Sequence, residues 1–324
     1  MRVVALWVLA TWCAECVWGG FTVVDYPVVL LFLGPLYGSV AVLIREVARR
    51  RGGGWPVMVL LAVASGLVQA GLVDQSLFDR SALEGTGFAE AGREAAATWV
   101  PALGFSAGQL FEFVSGHVWW SVCAPIAVVE AWSAPEVRRV SWRGVAGLVV
   151  LYVLASLVNW SDSGRVVSGS QVAAVLVVVA GLVAAASWWR PSPPAVTSDH
   201  GRGRGGVPAL WLGVVVLAAH VGSWFYGSGW AGLGLRVVTV LVVGVLVVRW
   251  AVSERHVLAG WGAGLVAGAG VAFLAPPYAA AASWLMVVSD VFGAVLVGVL
   301  LWGRWSRSSP VPAGLPGGGP RCRR

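Results

Sequence analysis

Residues 27–51 read PVVLLFLGPLYGSVAVLIREVARRR: a long apolar stretch with Arg45 and Glu46 near its end, closed by Arg49, Arg50 and Arg51. A bilayer's hydrocarbon core is about 30 Å thick and takes about 20 apolar helical residues to cross. The stretch has that length and carries a cluster of positive charge at one boundary. It reads as a helix that crosses a membrane and stops at an arginine-rich surface.

The same ruler, moved outward, marks ten apolar segments: 3–19, 27–48, 56–73, 107–131, 144–160, 168–189, 207–225, 232–250, 257–275 and 279–302. Composition agrees. Hydrophobic residues make up 58% of the 324 positions and charged residues 11%, against about 25% charged in a typical soluble domain. A chain so short of charge needs lipid over much of its surface. Its 20 Trp favour membrane–water boundaries. The expected fold is therefore all-α, a polytopic transmembrane bundle of about ten spans in a bacterial cytoplasmic membrane. Arg2 followed by Val3 to Trp12 has the outline of a signal peptide, but no small-x-small cleavage site follows. It reads as an uncleaved first helix.

Orientation follows from arginine, the sole basic residue type among the 22 Lys and Arg positions. With ten spans and the N-terminus inside, 18 arginines fall on the cytoplasmic side; Arg80, Arg93, Arg165 and Arg236 fall outside. Positive charge is retained inside, so both termini are expected in the cytoplasm. The net charge of +7 is explained by this topology; the arginines lie beside apolar spans and form no basic stripe for nucleic acid.

Punctuation divides the chain. Pro191, Pro193, Pro194 and the Gly-Arg repeats that follow make 191–206 a flexible cytoplasmic linker. It separates a front bundle of about six helices, 1–190, from a back bundle of about four, 207–303. Residues 304–324, rich in Arg, Pro and Gly, read as a disordered tail. The acidic outer loop 74–98 is helix-compatible from Ala89 to Thr98, and the stretch from Trp99 is expected to break around Gly104 and Gly108 before span four. Gly34 and Gly38, and Gly260, Gly264 and Gly268, form small-residue stripes that allow close helix approach. They read as packing seams within the bundle, with a homo-oligomer face as the alternative.

Polar groups within apolar spans carry the functional signal. A carboxylate at a helix centre costs about 2.5–3.5 kcal/mol on insertion scales, so such groups face the bundle interior or water. Glu15, Gln69 and Glu112 fall in the outer half of their helices, with Asp74 just above Gln69 at a helix mouth and His117 about one and a half turns below Glu112; His220 is a further candidate. Gln109, Glu112 and Phe113 share a side by i+3 and i+4 spacing, and His117 follows Phe113 by four. These groups are expected to converge in a polar pocket open to the outside; the alternative is a set of interhelical hydrogen bonds. Glu46 and Glu130, at cytoplasmic helix ends near arginine, read as interfacial partners. Cys13 and Cys16 read as buried thiols. No nucleotide motif is present. A metal held by Glu112, His117 and His220 would need ligands from distant helices, so no cofactor or metal is expected.

Residues 31–51, Gly54-Trp55-Pro56, residues 66–78 (GLVQAGLVDQSLF) and residues 117–132 resemble an uncharacterised family of bacterial multi-pass membrane proteins, over roughly the first 135 positions. Relatives in that family usually carry paired glutamates on the third helix, where this chain has Gln69 and Ala70. Phe113 and His117 also resemble, in degenerate form, the Phe-x-x-x-His motif of the CAAX-protease and bacteriocin-processing intramembrane proteases. That resemblance implies a Glu- and His-activated water. The glutamates are missing, Gln cannot act as a general base, and His220 is followed four residues later by Trp224 and not Asn or Asp. A protease of that kind would be inactive here. Three readings stand: a non-catalytic protein that binds or moves a small ligand, a diverged intramembrane hydrolase, and a membrane scaffold or accessory subunit.

Overall fold

The computed structural model describes residues 2–132, 139–164, 166–189, 207–250 and 253–307, with 304–307 described by backbone only. The expected linker 191–206 and the expected tail beyond residue 307 lie outside the described residues.

The chain is nearly all helix. Helix α1 (Arg2–Glu15) leads into α2 (Tyr26–Arg51) and α3 (Gly54–Val68), which runs on as a π-helical turn, Gln69–Val73. The loop 74–98 holds the short α4 (Ala89–Glu94) and a 3-10 turn, Ala95–Thr98. A two-residue hairpin follows, Trp99 opposite Ser106 and Val100 opposite Phe105. Gly104, at φ 69°, makes the left-handed corner of that hairpin, a conformation that costs glycine little. Ser106 then caps α5 (Ala107–Gly116) by accepting from the Gln109 N–H at 3.2 Å. A second π-helical segment, His117–Cys123, joins α5 to α6 (Ala124–Ala131). Helices α7 (Trp142–Ser163) and α8 (Gly169–Trp188) complete the first group. Helices α9 (Ala209–Ser223), α10 (Trp230–Trp250), α11 (Glu254–Val271) and α12 (Ser283–Arg307) form the second. Helix α12 continues four residues into the segment expected to be tail.

Seven of these rods are long and apolar enough to cross a membrane: Tyr26–Arg51, Gly54–Val73, Ala107–Ala131, Trp142–Ser163, Gly169–Trp188, Trp230–Trp250 and Ser283–Gly303. This is the architecture of a multi-pass membrane protein. Helices α1 and α9, with 14 and 15 residues, reach only about 21–23 Å at 1.5 Å per residue. Burial separates inner from outer rods. None of α7 is buried, α10 buries only Gly232, and α8 buries Val175 and Ala186. Valine and leucine cover their open faces, as a lipid-facing surface requires.

The two sequence groups interlock. Leu258, Leu265 and Ala269 of α11 and Val297 of α12 share one buried core with Trp12, Cys13, Tyr26, Ala124 and Val128 of the first group. Four of the five stripe glycines are met from within the chain, by indole rings where close backbone approach was expected, while Gly260 faces open space. Trp7 lies over Gly34 and Gly38, Trp119 over Gly264, and Trp120 beside Gly268. Both ring nitrogens donate to α11 carbonyls, Trp119 to Trp261 at 3.1 Å and Trp120 to Gly264 at 3.0 Å.

Candidate functional site

Span three supplies Ser65 and Gln69, span four His117 and Ser121, α2 Tyr37, and α7 Tyr152; with Leu36, Val40 and Val122 they enclose one cavity. Its volume is about 10 Å³, room for a single water. Gln69 and His117 are each the first residue of a π-helical segment. Such turns are rare in α-helices and concentrate at functional sites; here both open at the same cavity.

Local packing explains how His117 reaches it. Gly66 leaves the space that His117 Cβ approaches, 3.1 Å from where a glycine substituent would stand. The imidazole stacks on Tyr37, centroids 5.7 Å apart and planes 30° apart. Its Nδ1 lies 3.3 Å from Ser121 Oγ. Tyr37 also hydrogen-bonds the buried carboxyl of Glu15. Asp74 lies beside Gln69 and accepts from the Ser76 N–H at 2.9 Å and the Ser76 hydroxyl at 2.7 Å. Burial pushes the Asp74 carboxyl above its ordinary range, against the lowering effect of the Ser76 and Gln69 hydrogen bonds.

An aromatic cover closes the Glu15 side. Trp18, Phe88 of the 74–98 loop and Tyr278 of the α11–α12 loop meet edge to face at 5.2–5.5 Å. The Tyr278 N–H donates to Gly20 at 3.0 Å. Burial, reinforced by Glu15 and Asp74, raises the Tyr278 phenol. Next to Asp74, Gln75 is fully buried with φ 57°. Its side chain donates to Gly164 O at 2.6 Å and accepts from the Val166 and Val167 N–H groups at 3.0 and 3.2 Å. It thereby pins the end of span three to the α7–α8 turn.

Four of the six expected residues are thus grouped: Gln69 and His117 on the cavity, Asp74 and Glu15 one contact behind. Glu112 and His220 stand elsewhere. Glu112 pairs with Arg236 of α10 at 2.5 Å, its side chain 57% exposed. The physical reason is angular: five residues separate Glu112 from His117, so on a helix of 3.6 residues per turn they point about 140° apart. His220 sits among Trp119, Trp120 and Trp224, centroids 5.5–6.1 Å away. With Glu112, His117 and His220 apart, that metal set is dispersed; among the described residues no three His, Cys, Asp or Glu gather as ligands. Sequence reasoning passed over Tyr37 and Tyr152, whose signal was a hydroxyl in mid-span. At the opposite ends of α2 and α6, Glu130 accepts from Arg45 at 3.0 Å and Arg49 at 2.9 Å, and Glu46 from Arg50 at 2.7 Å.

Comparisons with protein-family models, curated proteins and solved structures return no match.

Proposed function

We propose that this chain is a protein of the bacterial cytoplasmic membrane, with ten spans and both termini inside, that binds or passes a water-sized polar species through its outer half. The volume beside His117 suits a water, a proton carried on water, or a small cation. The observation that carries this reading is the convergence of Gln69 and His117, each opening a π-helical turn, on a cavity of about 10 Å³. Asp74, Gln69, the cavity, His117, Tyr37 and Glu15 then form a file of hydrogen-bonding groups, of which Asp74, His117 and Glu15 can accept and return protons while Gln69 only holds a hydrogen bond between them.

The test is proton flux into proteoliposomes that enclose a pH-sensitive dye, with sodium or potassium gradients as separate arms. His117→Ala is expected to lower flux by roughly a hundredfold, the scale of one lost proton-transfer group. A wild-type protein that carries none of these species points instead to the scaffold reading, in which the polar groups only lock helices together. The hydrolase reading draws on one feature, a water-sized space beside His117. It expects peptide cleavage that His117→Ala abolishes.

A further inference from the structure

The arginine-rich end of the molecule carries more positive charge than its own carboxylates neutralise. Arg45, Arg49, Arg50, Arg51, Arg139 and Arg143 belong to it, and among the described residues only Glu46 and Glu130 pair with any of them. Both carboxylates are engaged, Glu130 by Arg45 and Arg49, Glu46 by Arg50. Arg51 meets only a neutral partner, donating to Ser187 Oγ on α8 at 2.9 Å. The Arg50 guanidinium stacks 4.0 Å from the ring of Trp142, the first residue of α7, and Arg143 follows it, exposed.

Those charges stand where three apolar rods end: the last turn of α2, the first of α7 and the last of α8. Trp142 is 73% exposed and Trp188 84%, rings that favour the bilayer boundary. Below them α7 packs on α2 and α8 on α3, leaving bare valine faces such as Val149, Val153, Val177 and Val183. An anion that fits this place needs a charged head at the level of the Trp rings and apolar chains beneath.

We infer that the ends of α2, α7 and α8 form a binding site for an anionic phospholipid, its phosphate held by Arg51 and Arg143 and its acyl chains lying along α7 and α8. This site is independent of the cavity at His117. Its geometry differs from general attraction to a charged surface, because Arg50 and Arg51 are fixed toward α7 and α8 by Trp142 and Ser187.

The experiment places the full chain in phosphatidylcholine nanodiscs with or without phosphatidylglycerol, and reads bound lipid by native mass spectrometry and unfolding by temperature. Wild-type protein is expected to retain phosphatidylglycerol preferentially and to unfold at higher temperature in its presence. A basic residue near a lipid surface contributes about 1 kcal/mol, so the Arg51→Gln, Arg143→Gln double variant is expected to lose roughly tenfold or more of that preference. Neither arginine pairs with Glu46 or Glu130, so the variant should unfold as wild type does in phosphatidylcholine alone. The Arg51→Lys, Arg143→Lys variant should keep much of the preference. The inference is overturned if wild type shows no preference, if the glutamine variant keeps it in full, or if inorganic phosphate in phosphatidylcholine discs gives the same stabilisation.

Discussion

His117 and Gln75 show how single side chains shape this region. His117 is held by Tyr37 on one face and Ser121 at one nitrogen, which fixes the orientation of its imidazole at the cavity. Gln75 is the structural counterpart. Its αL backbone is strained for a residue with a side chain, yet its amide satisfies three backbone groups of the α7–α8 turn. Gln75→Ala removes three hydrogen bonds to a largely exposed turn and is expected to destabilise by about 1–2 kcal/mol, read as a lower unfolding temperature in detergent. Asp74 adds a pH dependence. A carboxyl raised by burial favours the protonated form in the folded state, so its contribution is full below the ordinary carboxylate pKa. That contribution is lost as pH rises through the raised value. Asp74→Asn, which keeps an acceptor for Ser76, should flatten the fall in stability above the ordinary carboxylate pKa; an unchanged slope there would refute this assignment.

Helices α2 and α11 owe their packing to what their glycines admit. An added methyl at Gly264 would overlap the Trp119 indole, and one at Gly34 the Trp7 ring. Both rings are wedged in place, so Gly264→Ala and Gly34→Ala should each cost about 1–3 kcal/mol, the usual cost of overpacking. Gly260→Ala faces open space and is the matched control, expected to unfold within about 0.5 kcal/mol of wild type. Equal losses at Gly264 and Gly260 would show that helix flexibility, and not the indole contact, governs the effect.

Across the whole molecule, charge separates the two ends. The arginine cluster with Glu46 and Glu130 occupies one, while Asp74, Glu15 and the acidic 74–98 loop occupy the other. If that polarity sets orientation, alkaline phosphatase fused at the C-terminus stays inactive and a green fluorescent protein fused there fluoresces; active phosphatase would reverse the proposed topology. Glu130, shared by Arg45 and Arg49 while its side chain is only 16% exposed, is the pivot of the arginine-rich end. Removing one partner from a buried ion group leaves the others uncompensated, so Glu130→Gln should cost about 3 kcal/mol.

The all-helical membrane architecture was legible in the sequence because apolar length and arginine placement are one-dimensional signals. A chain 58% hydrophobic with 11% charge has few ways to satisfy its backbone other than as helices in lipid. The Glu46 and Glu130 ion pairs were legible for the same reason, since charge near a span end seeks its neighbours. What the tertiary structure alone decided was which polar groups meet. Rotation about the helix axis turned Glu112 to Arg236 on α10 while His117 turned to Gln69. The π-helical turns at those two residues shift that rotation locally, and hydropathy carries no trace of them. The partners of the glycine stripes were likewise settled by packing, because a bare glycine face specifies that something comes close and leaves open whether it is a backbone or an indole ring.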